Sequence, residues 1–197
     1  MKVEVPEYEI EEQIEISASD YLLLVVDMQN DFVHPDGALY NPEAEKSITK
    51  INKTIERARS AGMPVWFTRD THREGDPEFE IWGEHVVKGS FGWEIAEELK
   101  PAANDTIIDK AHYDAFFETE LEEKLKAQEV NGLIIAGTVA NICVHYTAAS
   151  AALRGFEVIH PVDLISALTD FDYYAALHQA NWLFQARLVK SKNLKFG

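Results

Sequence analysis

With 197 residues the chain can bury one sizeable core and has little left for a second domain. Thirty-four acidic against 18 basic side chains give a formal charge of −16, which repels phosphate backbones and makes nucleic acid and anionic membrane poor candidate partners, so neither is expected. The opening MKVEVPEYEIEEQIEIS lacks the basic and apolar regions of a secretory leader, no apolar run approaches the roughly 18 residues of a membrane span, and a single cysteine precludes an internal disulfide, so a reducing cytoplasm is expected.

Taken in chain order, residues 1–20 form an arm, either packed on a partner subunit or frayed, and residues 21–197 form the domain. Short apolar runs predict strands at Tyr21–Asp27, Pro64–Arg69, Thr106–Asp109, Leu133–Gly137, Phe156–Pro161 and Arg187–Lys190. Amphipathic segments lie between them. After an Asn cap and Pro42, the residues Ala44, Ile48, Ile51, Ile55 and Ala58 recur at helical spacing, with Gly62 as the stop. Phe117, Leu121 and Leu125 mark a second helix, His145–Arg154 a third and Tyr173–Ala186 a fourth. Strands alternating with helices predict an α/β fold, a single-domain Rossmann-like three-layer sandwich around a mostly parallel six-stranded sheet.

In such sheets ligands sit beyond the carboxyl ends of the strands. Asp27 ends the first strand, Arg69-Asp70 the second and Asp109-Lys110 the third. The fourth runs through Gly137-Thr138-Val139-Ala140-Asn141-Ile142 into Cys143, and the fifth leads to Asp163. No strand ends in a G-x-G-x-x-G or P-loop pattern, so dinucleotide or triphosphate binding has no support. Lone cysteines are usually inert core residues. Cys143, however, opens the first turn of an Ala-rich helix, where free amides and the helix dipole favour a thiolate. Lys110 would lower its pKa further, and Asp27 would take the thiol proton and return it to a leaving amine. Asp70-x-His72 and the later His85, in Trp82-Gly83-Glu84-His85, offer one carboxylate and two imidazoles. That set suits zinc, with manganese or ferrous iron as alternatives; a solvated loop with scattered histidines is the plainer reading of the pattern taken alone.

Three segments together resemble the isochorismatase-like cysteine hydrolases, a family that includes nicotinamidases, N-carbamoylsarcosine and ureidoacrylate amidohydrolases, and isochorismatases. They are Val26-Asp27-Met28-Gln29-Asn30-Asp31-Phe32; Lys110 followed by Tyr113, Phe116 and Thr119; and Gly137 through Ala148. The resemblance covers about Tyr21 to Lys190. It implies a catalytic triad of Asp27, Lys110 and Cys143, a cis peptide at Val139–Ala140, and an oxyanion hole from the amides of Ala140 and Cys143. It also implies a divalent metal on Asp70, His72 and His85, and a homo-oligomer, dimer or tetramer. Phe32, Trp82 and Tyr113 become candidates to line a substrate pocket, with core packing as the alternative for each. The implied activity is hydrolysis of a small amide, nicotinamide first. The compact Lys110-Ala-His-Tyr-Asp-Ala-Phe-Phe segment is closer to carbamoylsarcosine-type amidases and isochorismatases than to nicotinamidases, so a carbamoyl or ureido substrate comes second and an isochorismatase-type reaction third. A noncatalytic or redox-sensing binding protein on the same scaffold is the reading from another class.

Overall fold

Every predicted apolar run becomes a strand in the computed structural model, which describes residues 4–197; Met1–Val3 of the expected arm lie outside the described residues. The elements are β1 (Ile14–Ile16), β2 (Tyr21–Val26), α1 (Asn30–Val33), α2 (Pro42–Ser60), β3 (Val65–Asp70), α3 (Phe79–Trp82), β4 (Thr106–Lys110) and α4 (Leu121–Ala127). There follow β5 (Gly132–Thr138), α5 (Cys143–Leu153), β6 (Glu157–Pro161), β7 (Ile165–Ser166), α6 (Asp170–Phe184), β8 (Arg187–Val189) and β9 (Leu194–Phe196).

The main sheet has seven strands in place of the six expected, in the order β4-β3-β2-β5-β6-β8, with the two-residue β7 paired to the end of β5. Too short to carry a periodic signal, β7 has no signature in the sequence. All its pairings are parallel. β2 and β5 are buried along their whole length, which is why they read as continuous apolar runs without alternation. One face of the sheet packs Leu22, Leu24, Leu133 and Ile135 under α4, α5 and α6. The other packs Leu23, Val25, Ile134 and Ala136 under α2. The α2 helix starts where its cap predicts, with the Asn41 side chain accepting the Glu43 N–H at 3.0 Å. Phe117 lies outside the second helix and is exposed, because that helix begins only at Leu121.

The arm does not stand apart from the domain. β1 pairs in parallel with β9 of the same chain, Ile14 and Ile16 are buried in the α2-side core, and the Glu11 carboxylate takes a bidentate hydrogen bond from Arg187. Alternating Ile14-Glu15-Ile16 is a strand signature hidden among acidic neighbours.

Strand order reverses between β2 and β5, since β3 and β4 build outward on one side and β6 and β8 on the other. A crevice opens at such a point. Gly137 is what lets the two strands close there: at φ +118 an added Cβ would stand 2.1 Å from the Val26 carbonyl oxygen.

Candidate active site

Four strand ends deliver the charged groups to this crevice. Asp27 follows β2, Asp70 and Lys110 are register partners at the ends of β3 and β4, and Cys143 begins α5 after β5. The Lys110 Nζ, fully enclosed, lies 2.8 Å from Asp27 Oδ2 and 3.2 Å from Asp70 Oδ1, and donates to Cys143 Sγ at 3.6 Å. The expected triad is therefore one contiguous cluster, with Asp70 joined to it through the same ammonium.

Asp27 sits in the left-handed region at φ 49, a costly conformation for a residue with a Cβ and one tolerated where the surroundings hold it. Thr68 does the holding. Its hydroxyl donates to Asp27 Oδ1 at 2.6 Å and accepts the Asp27 N–H at 3.2 Å. Gln29 clamps the neighbouring strand end: its Oε1 accepts the Asp70 N–H at 2.7 Å while Nε2 donates to the carbonyls of Asp70 and Trp93. Neither residue was singled out from sequence, although Gln29 lies inside the first motif.

Burial and charge compete at the cluster. Burial pushes Asp27 up; the Lys110 ammonium pulls it down and Asp70 pushes it up again, and the net is a raised carboxyl. Burial would also raise Asp70, yet Lys110 and His72 hold it down at about 2. Burial disfavours the Lys110 charge, but Asp27, Asp70 and Cys143 keep it well above its usual value. For Cys143, burial raises the thiol, Lys110 lowers it, and the two carboxylates raise it further, leaving it well above its ordinary value. Burial and the two carboxylates thus oppose the thiolate that Lys110 and the helix N-terminus favour.

The peptide geometry before the nucleophile also differs from expectation. The cis bond is Thr138–Val139, one residue earlier than Val139–Ala140. The Ala140 N–H is already spent on the Ser166 carbonyl at 2.7 Å, a bond made possible by β7 alongside β5, so it is not free for an oxyanion. Val139 and Cys143 N–H groups have no acceptor among the described residues.

Asp70, His72 and His85 are all buried, and each offers a ligand atom within 4.8 Å of the others. Both imidazoles are oriented from behind: His72 Nδ1 meets Asp76 Oδ2 at 3.0 Å and His85 Nδ1 meets the Gly83 carbonyl at 2.8 Å. This leaves the Nε2 atoms facing inward, the arrangement metal-binding histidines adopt, and His72 Nε2 is buried without a hydrogen-bond partner. The donor set fits a divalent cation. The strap carrying His85 is held by Asp31, whose carboxylate accepts the Val86 N–H at 2.6 Å and the Ala38 N–H at 3.0 Å, with Val86 at φ 40.

A cavity of about 250 Å³ joins the thiol to Asp70 and His85 of the triplet. Phe32, Trp82 and Tyr113 line it, together with Leu39, Tyr40, Ile142 and Leu168, which sequence reasoning passed over. The Trp82 indole donates to the Tyr113 hydroxyl at 2.9 Å, fixing both rings. Glu78 also lines the cavity, its carboxyl raised by burial and by Asp70.

Comparison with known proteins decides the family. The model described as Isochorismatase domain matches residues 21–191. The chain belongs to the isochorismatase family. Within it, the chain is 30% identical to the ureidoacrylate amidohydrolase RutB of Yersinia enterocolitica, over 88% of this chain and 87% of that one. Among solved structures, N-carbamoylsarcosine amidase from Thermoplasma acidophilum superposes with a TM-score of 0.81 at 35% identity, over 87% and 96% of the two chains. Pyrazinamidase of Pyrococcus horikoshii, in complex with zinc, does so with 0.82 at 31%, over 87% and 99%. The chain spans from 66% to 93% of the length of the most similar curated relatives. These relatives hydrolyse amide C–N bonds, and this chain is an amidohydrolase of the isochorismatase family. No helix among the described residues is long and apolar enough to cross a membrane.

Proposed function

We propose that the protein converts a small uncharged heteroaromatic carboxamide, nicotinamide first, to its acid and ammonia through a thioester on Cys143. The observation that carries this reading is the buried Asp70–His72–His85 triplet, two of whose members, Asp70 and His85, line one cavity with the thiol. Cys143 Sγ adds to the carbonyl carbon as its proton passes to Asp27, and the Lys110 ammonium balances the charge that moves between them. The Val139 and Cys143 amides receive the oxyanion; one such donor typically supplies about 3 kcal/mol. Asp27 returns the proton to departing ammonia. Water then adds to the thioester, giving its proton to Asp27, and the acid leaves as the thiol is restored. A divalent cation on Asp70, His72 and His85, with zinc as the first choice, supplies a Lewis-acid anchor for a ring nitrogen when bound.

Charge supports the order of substrates. Among the cavity-lining residues the charged side chains are Asp70 and Glu78, and no Lys or Arg lines it. With no Lys or Arg in the lining, an acrylate or sarcosine carboxylate would find only the bound cation to meet it, whereas a neutral azine amide also matches the aromatic walls. A carbamoyl substrate remains the second reading, favoured by the short segment after Lys110. The requirement for a reduced Cys143 fits a cytoplasmic setting.

The test is ammonia release from nicotinamide, pyrazinamide and an N-carbamoyl amino acid, before and after chelation and again after zinc is restored. Zinc-dependent turnover of the two azine amides, at least tenfold above the carbamoyl acid, is expected. Preference for the carbamoyl acid, or rates indifferent to chelation, would overturn the substrate and metal assignments and leave the triad standing.

A further inference from the structure

Two loops far apart in the chain meet at one carboxylate that belongs neither to the triad nor to the metal triplet. Asp31 stands on the single turn of α1, between the strap that brings His85 to the site and the loop 38–40 that walls the cavity. Its Oδ2 accepts the Val86 N–H at 2.6 Å and its Oδ1 accepts the Ala38 N–H at 3.0 Å. The Asp31 backbone repeats the pattern: its N–H donates to the Gly92 carbonyl at 3.0 Å, and its carbonyl accepts the Leu39 N–H at 2.9 Å. The space around it is filled. A Cβ at Gly92 would stand 2.1 Å from the Asp31 carboxylate, and one at Gly37 would stand 2.4 Å from the Asn30 carbonyl oxygen.

From Val86 the contacts lead on to the second imidazole. The Val86 carbonyl accepts the His72 N–H at 3.1 Å, so Asp31 is joined through one residue to His72 by hydrogen bonds and to His85 by the chain itself. Val86 is fully buried and lies at φ 40, a conformation that a β-branched residue keeps only where its surroundings impose it. The short bond to Asp31 supplies that constraint. We propose, resting on the metal reading given above, that Asp31 is a positioning residue which carries cation occupancy of the triplet to the substrate wall. A cation on His72 and His85 holds Val86 between them. Val86 then fixes the carboxylate, and the carboxylate fixes Ala38 with its neighbours Leu39 and Tyr40, all three of which line the cavity. The loop 38–40 contributes no ligand to the triplet, so the wall feels the cation through Asp31. The linkage is reciprocal: a ligand seated against the wall tightens the hold on the cation. Each carboxylate oxygen serves one loop, and a side-chain amide, with a single oxygen, serves only one of the two.

Hydrogen exchange of the full chain, resolved by residue and with zinc as the only added ligand, tests this without any substrate. Zinc should slow exchange of the Ala38 and Leu39 amides in the wild type by at least roughly fivefold. In Asp31→Asn the same addition should leave those two amides unchanged, and competition against a chelator should show zinc bound about 10- to 100-fold more weakly. Wild-type zinc binding with no added protection at Ala38 and Leu39 overturns the inference and leaves the metal assignment intact; this arm needs no substitution, so it decides even if the variant fails to fold. An Asp31→Asn protein that unfolds at lower urea concentration, yet binds zinc and gains protection as the wild type does, also overturns it, since Asp31 would then serve the fold alone. A wild type that binds no zinc overturns the metal assignment and the inference with it.

Discussion

Replacing Thr68 with Val keeps the shape of a fully buried side chain and deletes one hydroxyl, so its effect isolates how Asp27 is tuned. That hydroxyl donates to Asp27 Oδ1 at 2.6 Å and is among the groups that lower the carboxyl against burial and Asp70. A hydrogen bond to a buried charge is worth about 1.5–3 kcal/mol, and one pKa unit corresponds to about 1.4 kcal/mol. Thr68→Val should therefore raise Asp27 by roughly one to two units. Because Asp27 must be ionised to take the thiol proton, the acid limb of kcat/KM moves to higher pH by the same interval. At a pH on that limb, activity falls by about 10- to 100-fold. Ammonia release from nicotinamide, followed across pH for wild type, Thr68→Val and Thr68→Ser, provides the assay. Thr68→Ser keeps the donor and should restore the wild-type profile. If the acid limb in Thr68→Val stays in place or moves to lower pH, Asp27 is not the group whose ionisation gates the reaction.

Cys143→Ala should abolish turnover while leaving the thermal midpoint within a few degrees of wild type, and ammonia release at wild-type rates would end the thioester mechanism. Gln29→Leu strands the Asp70 N–H and the carbonyls of Asp70 and Trp93; at about 1–3 kcal/mol for each buried group left unpaired, it should cost 3 kcal/mol or more in urea unfolding. His160 is fully buried, and that burial lowers it from 6.5 to about 4 despite its bond to the Ile135 carbonyl. The unfolded chain therefore binds the extra proton between those values: the contribution is complete above pH 6.5 and is lost as pH falls toward 4, by roughly 3 kcal/mol in all. His160→Asn should flatten that part of the stability–pH curve, and an unchanged slope would show that His160 is not responsible.

The strands were legible because parallel strands buried on both faces read as uninterrupted Val, Ile and Leu, and α2 was legible because its cap, its period and its Gly stop agree. β1 and β7 were not: three residues in an acidic arm and two beside a longer strand carry too little pattern, and both are fixed by long-range pairing. At the site, the residue types at the strand ends revealed Asp27, Asp70, Lys110 and Cys143, since each ends or follows an apolar run. Thr68 and Gln29 are different. A threonine within a strand and a glutamine after one are ordinary in sequence, and their roles exist only once β2 and β3 lie side by side. The free amide was misassigned for a similar reason, because the bond from Ala140 to Ser166 depends on β7, which the sequence did not reveal.

Asp70 ties the two halves of the site together: one oxygen faces Lys110 at 3.2 Å and the other His72 at 3.5 Å. The buried cluster then contains two carboxyl groups and one ammonium around a thiol whose ionisation burial opposes. Adding a thiolate would bring a third negative charge beside a single ammonium. Nucleophilic attack therefore has to move the proton onto Asp27 as the carbon–sulfur bond forms, which keeps the cluster's charge constant until the oxyanion develops against the amides. A substrate with its own carboxylate would break that balance on entry. The charge balance around Cys143 thus adds to the case for testing a neutral amide first.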